Sequence, residues 1–281
     1  MITFPNAKIN LGLYIGKTLP NGFHEIVTAM VPVDWCDILE MVPSSTGETT
    51  LTVTGHSLTR PAEKNLVMKA YRIFKEAYPP APAVEIHLHK EIPDGAGMGG
   101  GSSDAAFALK LLNDMTGHPF DLDQLAEMAA KVGSDCPFFI YNRPMLATGT
   151  GTTLTELDLP VGQLANLLII KPQGSVSTAE AYAEARSSCR TAEELTETLT
   201  APDGIGSWAD RLGNDFTSSV AAKVPDVSEA IRWLKSHGAV YAEMTGSGSA
   251  VFGIFPTDIL TDGIKGLPRG VRWHKCGVLT Q

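Results

Sequence analysis

A run of glycines between residues 93 and 104 constrains the fold of this chain more than any other feature. The segment reads Pro-Asp-Gly-Ala-Gly-Met-Gly-Gly-Gly-Ser-Ser-Asp. So many glycines cost conformational entropy on folding, and the close approach of a ligand to bare backbone would explain that cost. Successive N–H groups, the dipole of a following helix and the hydroxyls of Ser102 and Ser103 would then bind phosphate oxygens or a magnesium ion. A tight turn that caps a helix is the alternative.

The residues before the run predict strands and one helix. Strands are predicted at 7–15, 26–33, 38–42, 49–54 and 83–90, and a helix at 63–78. Behind the run, a helix carries Ala105, Leu109 and Leu112 at helical spacing. A second helix at 122–132 would be capped by Asp121 or Asp123. The apolar segments 136–141 and 145–154 are predicted to be strands.

The second half of the chain has a different pattern, and we place the domain boundary at residues 160–162. The predicted domains are therefore residues 1–159 and 160–281. The predicted elements are strands at 164–171, 240–245, 250–255 and 271–276, and helices at 178–186, 227–236 and 257–265. Gly238 would end the second of these helices. Apart from a polar surface excursion at 191–206, the order approaches a ferredoxin-like arrangement of helices on an antiparallel sheet.

Composition limits the classes of partner. The 281 residues are 43% hydrophobic and carry a formal net charge of -9, which disfavours nucleic acid and anionic membrane surfaces as partners. The four cysteines are scattered, which argues against a disulfide framework or a zinc site. We find neither a secretory leader nor an apolar run long enough to span a bilayer. These features predict a cytoplasmic protein, and we expect a monomer or weak homodimer.

The type of phosphate loop can be narrowed from the residues around it. Gly95, Gly97 and Gly100 match the G-x-G-x-x-G pattern of dinucleotide-binding proteins. However, apolar residues in the strand before them alternate with His and Glu, whereas the first strand of a dinucleotide-binding fold is apolar nearly throughout. The run also follows several strands that do not suggest a βαβ pattern. Because no Gly-Lys-Ser/Thr follows, the loop is not of the Walker A type either.

Three segments together resemble the motifs of the GHMP kinases. The Gly-rich run resembles the second motif of that family, with Met98 where Leu is usual. Residues 5–11, Pro-Asn-Ala-Lys-Ile-Asn-Leu, resemble the first motif, and residues 244–252, Met-Thr-Gly-Ser-Gly-Ser-Ala-Val-Phe, resemble the third. Their order and separation match the family across nearly the whole chain. The resemblance implies an α+β fold of two domains, an N-terminal ribosomal-protein-S5-domain-2-like domain and a C-terminal ferredoxin-like domain, with the active site in the cleft between them.

The same resemblance implies how a nucleotide would bind. It implies ATP with Mg²⁺ as cofactors, although the sequence offers no dedicated carboxylate cage for the metal. The residues it assigns to the cofactor are Pro93, Asp94, Gly95, Ala96, Gly97, Met98, Gly99, Gly100, Gly101, Ser102 and Ser103. Asn65 and Lys90 are weaker candidates on the adenosine side.

Local features favour the GHMP kinases that phosphorylate a cytidine diphosphate-linked polyol. The aromatic-His pair Phe23-His24 and the segment 133–139, Gly-Ser-Asp-Cys-Pro-Phe-Phe, resemble that group. The resemblance implies that Phe23 and Tyr182 stack on the two faces of the base, while His24 hydrogen-bonds its edge. Thr178 would line the same cleft. Phe23 replaces the usual Tyr and loses its hydroxyl, and a lone His beside a turn is otherwise more often structural.

Two charged residues are candidates for the chemistry. Asp135 follows a helix-ending Gly and precedes an apolar segment, so a partly desolvated carboxylate could accept the hydroxyl proton. Lys8 lies in a strand-like segment and, if it faces inward, needs a partner, for which the resemblance implies Asp135 and the transferring phosphate. Asn10 could reach the substrate hydroxyls. The alternatives are a turn cap for Asp135 and an exposed edge-strand position for Lys8.

Three other functions remain open at this point. Another GHMP kinase, of the homoserine or mevalonate type, would not be expected to carry the aromatic-His pair. A catalytically inactive nucleotide-binding module would be expected to lose Lys8 or Asp135, and both are present. A dinucleotide oxidoreductase is disfavoured by the alternating strand before the Gly-rich run.

Overall fold

The structure is a computed structural model that describes residues 1–20, 22–56, 64–258, 266–267 and 270–279. The chain divides into two compact units, each built from separate stretches. Unit 1 comprises Met1–Ala7, Trp35–Asp94 and Gly99–Asn142, and unit 2 comprises Lys8–Asp34, Gly95–Met98 and Arg143–Gln281. The predicted boundary between 159 and 160 is not tested by this division and stays a prediction. Within the described ranges, no helix combines the length and apolar character needed to cross a membrane.

The elements follow one another in chain order. The strands are β1 Ile2–Thr3, β2 Asn6–Thr18, β3 His24–Cys36, β4 Ile38–Pro43, β5 Thr50–Gly55, β6 Val84–Lys90, β7 Met145–Thr148, β8 Thr153–Glu156, β9 Leu167–Lys171, β10 Tyr241–Met244, β11 Val251–Ile254 and β12 Arg272–Cys276. The helices are α1 Leu66–Ala77, α2 Gly100–Met115, α3 Leu122–Val132, α4 Cys136–Tyr141, α5 Thr178–Glu184, α6 Ala192–Leu199, α7 Trp208–Arg211, α8 Thr217–Lys223 and α9 Asp226–Ser236. Short 3₁₀ helices lie at Val161–Leu164 and Gly204–Ser207.

Unit 1 places its helices on a four-stranded sheet of order β1-β4-β6-β5. Strand β6 shows why the sheet forms: Val84, Ile86 and Leu88 are buried, and the residues between them point to the other face. Helix α2 lies among α1, α3 and α4 and also contacts β4. Helix α3 begins at the capping box of Asp121 and Gln124, which confirms Asp121 as its cap.

Unit 2 contains two sheets. One has the order β2-β3-β7-β8, and the other is antiparallel with the order β10-β11-β9-β12. The second order, fully antiparallel, is that of the ferredoxin-like arrangement that the sequence predicts. Its core joins β2 to the sheet and the helices α8 and α9 through buried apolar residues that include Leu13, Ile170, Phe216, Trp233 and Met244.

Three sequence-based expectations are wrong. Segment 136–141 is helix α4 and not a strand, because a fully buried apolar run has no usable period, and Pro137 suits the first turn of a helix. Residues 145–154 form a hairpin of β7 and β8 rather than one strand. Segment 191–206 is not a mere surface excursion, since α6 buries Leu195 and Leu199.

The strand before the Gly-rich run also differs from expectation. Strand β6 pairs in parallel with β5, and α1 connects them, so a βαβ unit does precede the loop. The face of β6 that carries Glu85, His87 and His89 is nevertheless polar, as the alternation predicted. The predicted helix at 257–265 falls mostly on residues outside the described ranges, as does residue 63 at the start of the predicted first helix.

Candidate active site

The Gly-rich loop contributes Gly95–Met98 to unit 2, where backbone contacts hold it. Lys8 N donates to Met98 O at 3.0 Å, and Ala250 N donates to Ala96 O at 3.1 Å. The side chains of Ala96 and Met98 are buried, so they anchor the loop and leave only its backbone for a ligand. The first, second and third motif segments therefore meet within one unit.

Gly97 has a definite reason to be glycine. Its φ is +75°, and a Cβ there would stand 2.2 Å from the carbonyl oxygen of Thr245. Gly246 is the counterpart, since a Cβ on it would stand 2.5 Å from the carbonyl oxygen of Gly97. The sequence suggested close approach of a ligand, but at this position the neighbour is the backbone of the third motif. Part of the glycine content therefore serves loop-to-loop packing.

In unit 1 the loop continues into the N-terminus of α2. Gly99 is the N-cap with φ +70°, and no side chain caps the helix, so its first N–H groups have no side-chain acceptor. Within the described part of the chain, the buried Ser103 hydroxyl has no hydrogen-bond partner. An uncapped helix N-terminus and an orphaned hydroxyl fit the phosphate groups that the resemblance predicts. Pro93 is buried, Asp94 and Gly100 are half-buried and Gly101 is exposed.

Ser102 hydrogen-bonds the Cys136 thiol, at the start of α4. Burial raises the pKa of Cys136 to about 12, so the thiol is protonated and is not a nucleophile at neutral pH. Asp135 is the N-cap residue of α4 and is half-buried. It therefore precedes a helix rather than the predicted strand. Asp135 belongs to unit 1 and Lys8 to unit 2, and their pairing stays a prediction.

Lys8 lies in a buried polar network within unit 2, so the expectation that it faces inward is confirmed. Lys8 Nζ donates to Asn10 Oδ1 at 2.5 Å, and Asn10 Nδ2 donates to Thr28 Oγ1 at 2.9 Å. Thr245 Oγ1 accepts from Asn10 N at 3.0 Å. Asn10 thus orients Lys8, and its contact with a substrate hydroxyl stays a prediction. Sequence reasoning missed Thr28 and Thr245; only Thr245 carried a signal, its place in the third motif.

The residues predicted to bind cytidine lie partly together. The His24 ring stacks on Tyr182 with centroids 5.4 Å apart and planes at 15°. Tyr182 in turn packs edge-on against Phe216. Thr178 Oγ1 lies 3.1 Å from the Ser247 hydroxyl of the third motif. Phe23 is 64% exposed, which suits an aromatic face offered to a base.

The two weaker candidates have structural partners in unit 1. Asn65 is the N-cap of α1, where its Oδ1 accepts from Val67 N at 2.9 Å. Lys90 is buried, and its ammonium contacts the carboxylates of Asp37 and Asp104. Both residues stabilise unit 1 itself, and a contact with adenosine stays a prediction for each of them.

Asn214 and Asp215 hydrogen-bond backbone groups of the third motif and of β2. Asn214 Nδ2 donates to Met244 O and to Gly246 O, each at 2.9 Å, so it holds the third motif loop. Asp215 Oδ2 accepts from Ile15 N at 2.8 Å and so fixes β2. Neither residue was among the sequence-based candidates for the site. Across the described residues, no group of three or more His, Cys, Asp or Glu side chains is arranged to hold a metal ion.

Family models match both halves of the chain. The GHMP kinases N terminal domain matches residues 65–143, and the GHMP kinases C terminal domain matches residues 194–260. Curated relatives named 4-diphosphocytidyl-2-C-methyl-D-erythritol kinase are 45% identical in Parabacteroides distasonis and 42% identical in Azobacteroides pseudotrichonymphae. Each alignment covers 91% of this chain, with 92% and 93% of the respective relative. The chain belongs to the GHMP kinase family.

Solved structures agree with this GHMP kinase assignment. A crystal structure of 4-(cytidine 5'-diphospho)-2C-methyl-D-erythritol kinase matches with a TM-score of 0.78 and 27% identity, covering 99% of both chains. A mevalonate kinase matches with a TM-score of 0.72 at 13% identity, which supports the shared fold alone. The expectation of a two-domain α+β GHMP kinase, and of a small-molecule kinase rather than an oxidoreductase or an inactive module, is thereby confirmed.

Proposed function

We propose that this GHMP kinase transfers the γ-phosphate of ATP to the 2-hydroxyl of 4-diphosphocytidyl-2-C-methyl-D-erythritol. The reaction belongs to the non-mevalonate route to isoprenoid precursors. The observation that carries the proposal is the similarity to kinases named for this substrate, at up to 45% identity over 91% of the chain. The aromatic-His pair beside Tyr182 supports a cytidine-binding role, because stacking surfaces and a ring nitrogen suit a flat polar base.

Each proposed role uses a property of the residue. Asp135 accepts or orients the proton of the substrate hydroxyl. Lys8, held by Asn10, stabilises the attacking oxygen through its positive charge. Phe23, His24 and Tyr182 bind the base, and Thr178 lines the same region. Phosphoryl transfer requires positioning and charge neutralisation more than covalent help, and a buried, hydrogen-bonded lysine supplies both.

The cofactor site is proposed on the same basis. The family implies ATP as the phosphoryl donor, typically with Mg²⁺, which would neutralise the charge of the phosphates. The first N–H groups of α2 and the Ser103 hydroxyl are the donors that the structure leaves for phosphate oxygens. The remaining loop residues would contribute backbone N–H groups. A cytoplasmic location and a monomeric or weakly dimeric state complete the proposal, with no nucleic acid or membrane partner.

One assay tests the proposed substrate. ADP release is measured with Mg-ATP and, side by side, 4-diphosphocytidyl-2-C-methyl-D-erythritol, homoserine, mevalonate and galactose. We expect turnover of the cytidyl alcohol alone. Turnover of another acceptor would keep the kinase assignment and refute the cytidine roles of Phe23, His24 and Tyr182.

Substitutions test the proposed roles. Asp135→Asn should lower kcat by about two or more orders of magnitude, as loss of a general base does, while ATP affinity survives. Near-normal turnover would remove Asp135 from this role. His24→Ala should raise the KM for the cytidyl substrate more than the KM for ATP, and the opposite ranking would refute the cytidine assignment.

A further inference from the structure

A buried charged cluster lies at the base of the Gly-rich loop within unit 1. Its members are Asp37, between β3 and β4, Lys90, at the end of β6, and Asp104, in the second turn of α2. The side chains of Lys90 and Asp104 are 4% and 3% exposed, and that of Asp37 is fully buried. None of the three has a role in the phosphoryl transfer described above.

The three side chains join the two ends of the loop. Lys90 Nζ lies 2.6 Å from Asp104 Oδ2 and also contacts Asp37 Oδ2. Asp37 Oδ1 accepts from Glu91 N at 2.6 Å and from Ile92 N at 2.8 Å. Asp37 therefore fixes the backbone that enters the loop, and Asp104 lies on α2, one turn after the helix begins at the end of the loop. Lys90 connects the two.

The cluster also contacts the backbone that would bind phosphate. A Cβ on Gly100, the first residue of α2, would stand 3.3 Å from Lys90 Nζ and 3.0 Å from Ile92 Cγ2. The ammonium thus packs directly beneath the helix N-terminus. A side chain at Gly100 would therefore crowd Ile92 and Lys90.

Stability alone does not account for these charges. Two carboxylates share one ammonium in the interior, and Asp104 Oδ1 has no hydrogen-bond partner among the described residues. Burial raises the pKa of Asp104 well above its usual range, although Lys90 opposes the shift. Apolar residues of similar volume are often as stabilising as a buried ion pair, so the cluster calls for another explanation.

We propose that Asp37, Lys90 and Asp104 form a positioning clamp that fixes both ends of the Gly-rich loop for the ATP phosphates. This proposal rests on the proposed ATP site, but it assigns Lys90 a new role, acting through the loop backbone instead of contacting the nucleotide. Holding the ends in place removes conformational freedom that ATP would otherwise have to remove on binding. Loosening the clamp should therefore weaken ATP binding and leave the acceptor site unchanged.

The decisive variant is Asp37→Asn, because Asp37 bonds the start of the loop and lies outside the proposed cofactor residues. It keeps the shape of the side chain but replaces the charged carboxylate beside Lys90 with a neutral amide. We expect the KM for ATP and the Kd of a fluorescent ADP analogue to rise about tenfold, with the acceptor KM changing less than about twofold. Asp104→Asn, which can still accept from Lys90, should give a smaller change in the same direction. Asp114→Asn, on the exposed part of α2, is the matched control and should change neither constant.

The measurements are made well below the melting temperature of each variant, so that the folded protein is compared. If Asp37→Asn only lowers the melting temperature and leaves both ATP constants unchanged, the cluster is purely structural and the clamp is refuted. If Lys90→Arg weakens ATP binding while Asp37→Asn does not, Lys90 contacts the nucleotide directly, which also refutes it. Should Asp37→Asn fail to fold, Asp104→Asn decides by the same criterion. Because the analogue titration needs no acceptor, the result is independent of which substrate the enzyme phosphorylates.

Discussion

Two of the buried lysines, Lys90 from unit 1 and Lys171 from unit 2, have contrasting environments. Lys90 in unit 1 is bracketed by the carboxylates of Asp104 and Asp37, whereas Lys171 in unit 2 donates to the carbonyls of Pro172 at 2.6 Å and Gly174 at 2.9 Å. Burial alone would lower the pKa of Lys90, but the two carboxylates outweigh it and the pKa is raised. Burial lowers the pKa of Lys171 to about 8.

The contrast shows that the partner, more than burial, decides what a buried lysine can do. A full negative charge holds the Lys90 proton, so this ammonium is a permanent part of unit 1. Carbonyl dipoles compensate desolvation less completely, so Lys171 can lose its proton under mildly alkaline conditions. Gly174 O also accepts from Ser249 Oγ, which ties the Lys171 turn to the third motif.

The largest effect should come from removing the charge of Lys90. Lys90→Met leaves Asp37 and Asp104 buried without their counter-ion, which costs about 3–5 kcal/mol of unfolding free energy. The loss should be smaller at pH 5 than at pH 8, because protonation of a carboxylate relieves the repulsion. Urea unfolding at both pH values measures it.

Lys171→Met is the matched control for this experiment. It removes an ammonium of similar burial that donates to backbone carbonyls. Its cost in unfolding free energy should therefore be less than half that of Lys90→Met. Equal losses for the two variants would contradict the view that the partner decides the energetic role of the buried lysine.

An intermediate effect is expected where Asn10 and Thr245 hydrogen-bond each other beside Lys8. Thr245→Val keeps the side-chain shape but leaves the buried N–H of Asn10 without its acceptor, which costs about 1–3 kcal/mol of unfolding free energy. Because Asn10 orients Lys8, kcat should also fall, and by more than the KM for ATP rises. Thr116→Val, at the C-terminal end of α2, is a control that also loses hydrogen bonds from its hydroxyl. A similar fall in kcat for both variants would show that the hydroxyl of Thr245 has no specific role in the reaction.

The sequence could predict the elements whose pattern is local. The alternation of apolar and polar residues was sufficient to predict β6, and the capping residue was sufficient to predict the start of α3. The same alternation places Lys90 on the face of β6 that carries Val84, Ile86 and Leu88. That inward position was a usable signal for a buried charge. The partner Asp37 lies 53 residues away in the chain, so no spacing rule could have paired the two.

Other features depended on tertiary structure. The run Cys136–Tyr141 is buried on all sides, so its helical form could not be read from periodicity. Gly97 was recognised as special, but its neighbour proved to be the Thr245 carbonyl, from a segment far along the chain. Motif resemblance selected Lys8, Asn10 and His24 as candidate site residues, which stay predictions, whereas Thr28 had no signal at all.

The smallest effect should appear in the pH dependence assigned to Lys171. Its pKa is about 8 in the folded chain, below the ordinary lysine value near 10.5, so the unfolded chain binds more protons between these limits. The contribution of Lys171 to unfolding free energy therefore rises as pH increases from about 8 towards 10. Subtracting the stability curve of Lys171→Met from that of the unsubstituted protein should leave a difference with a positive slope over this range. A flat difference would show that the carbonyl partners of Lys171 fully offset the effect of burial on its pKa.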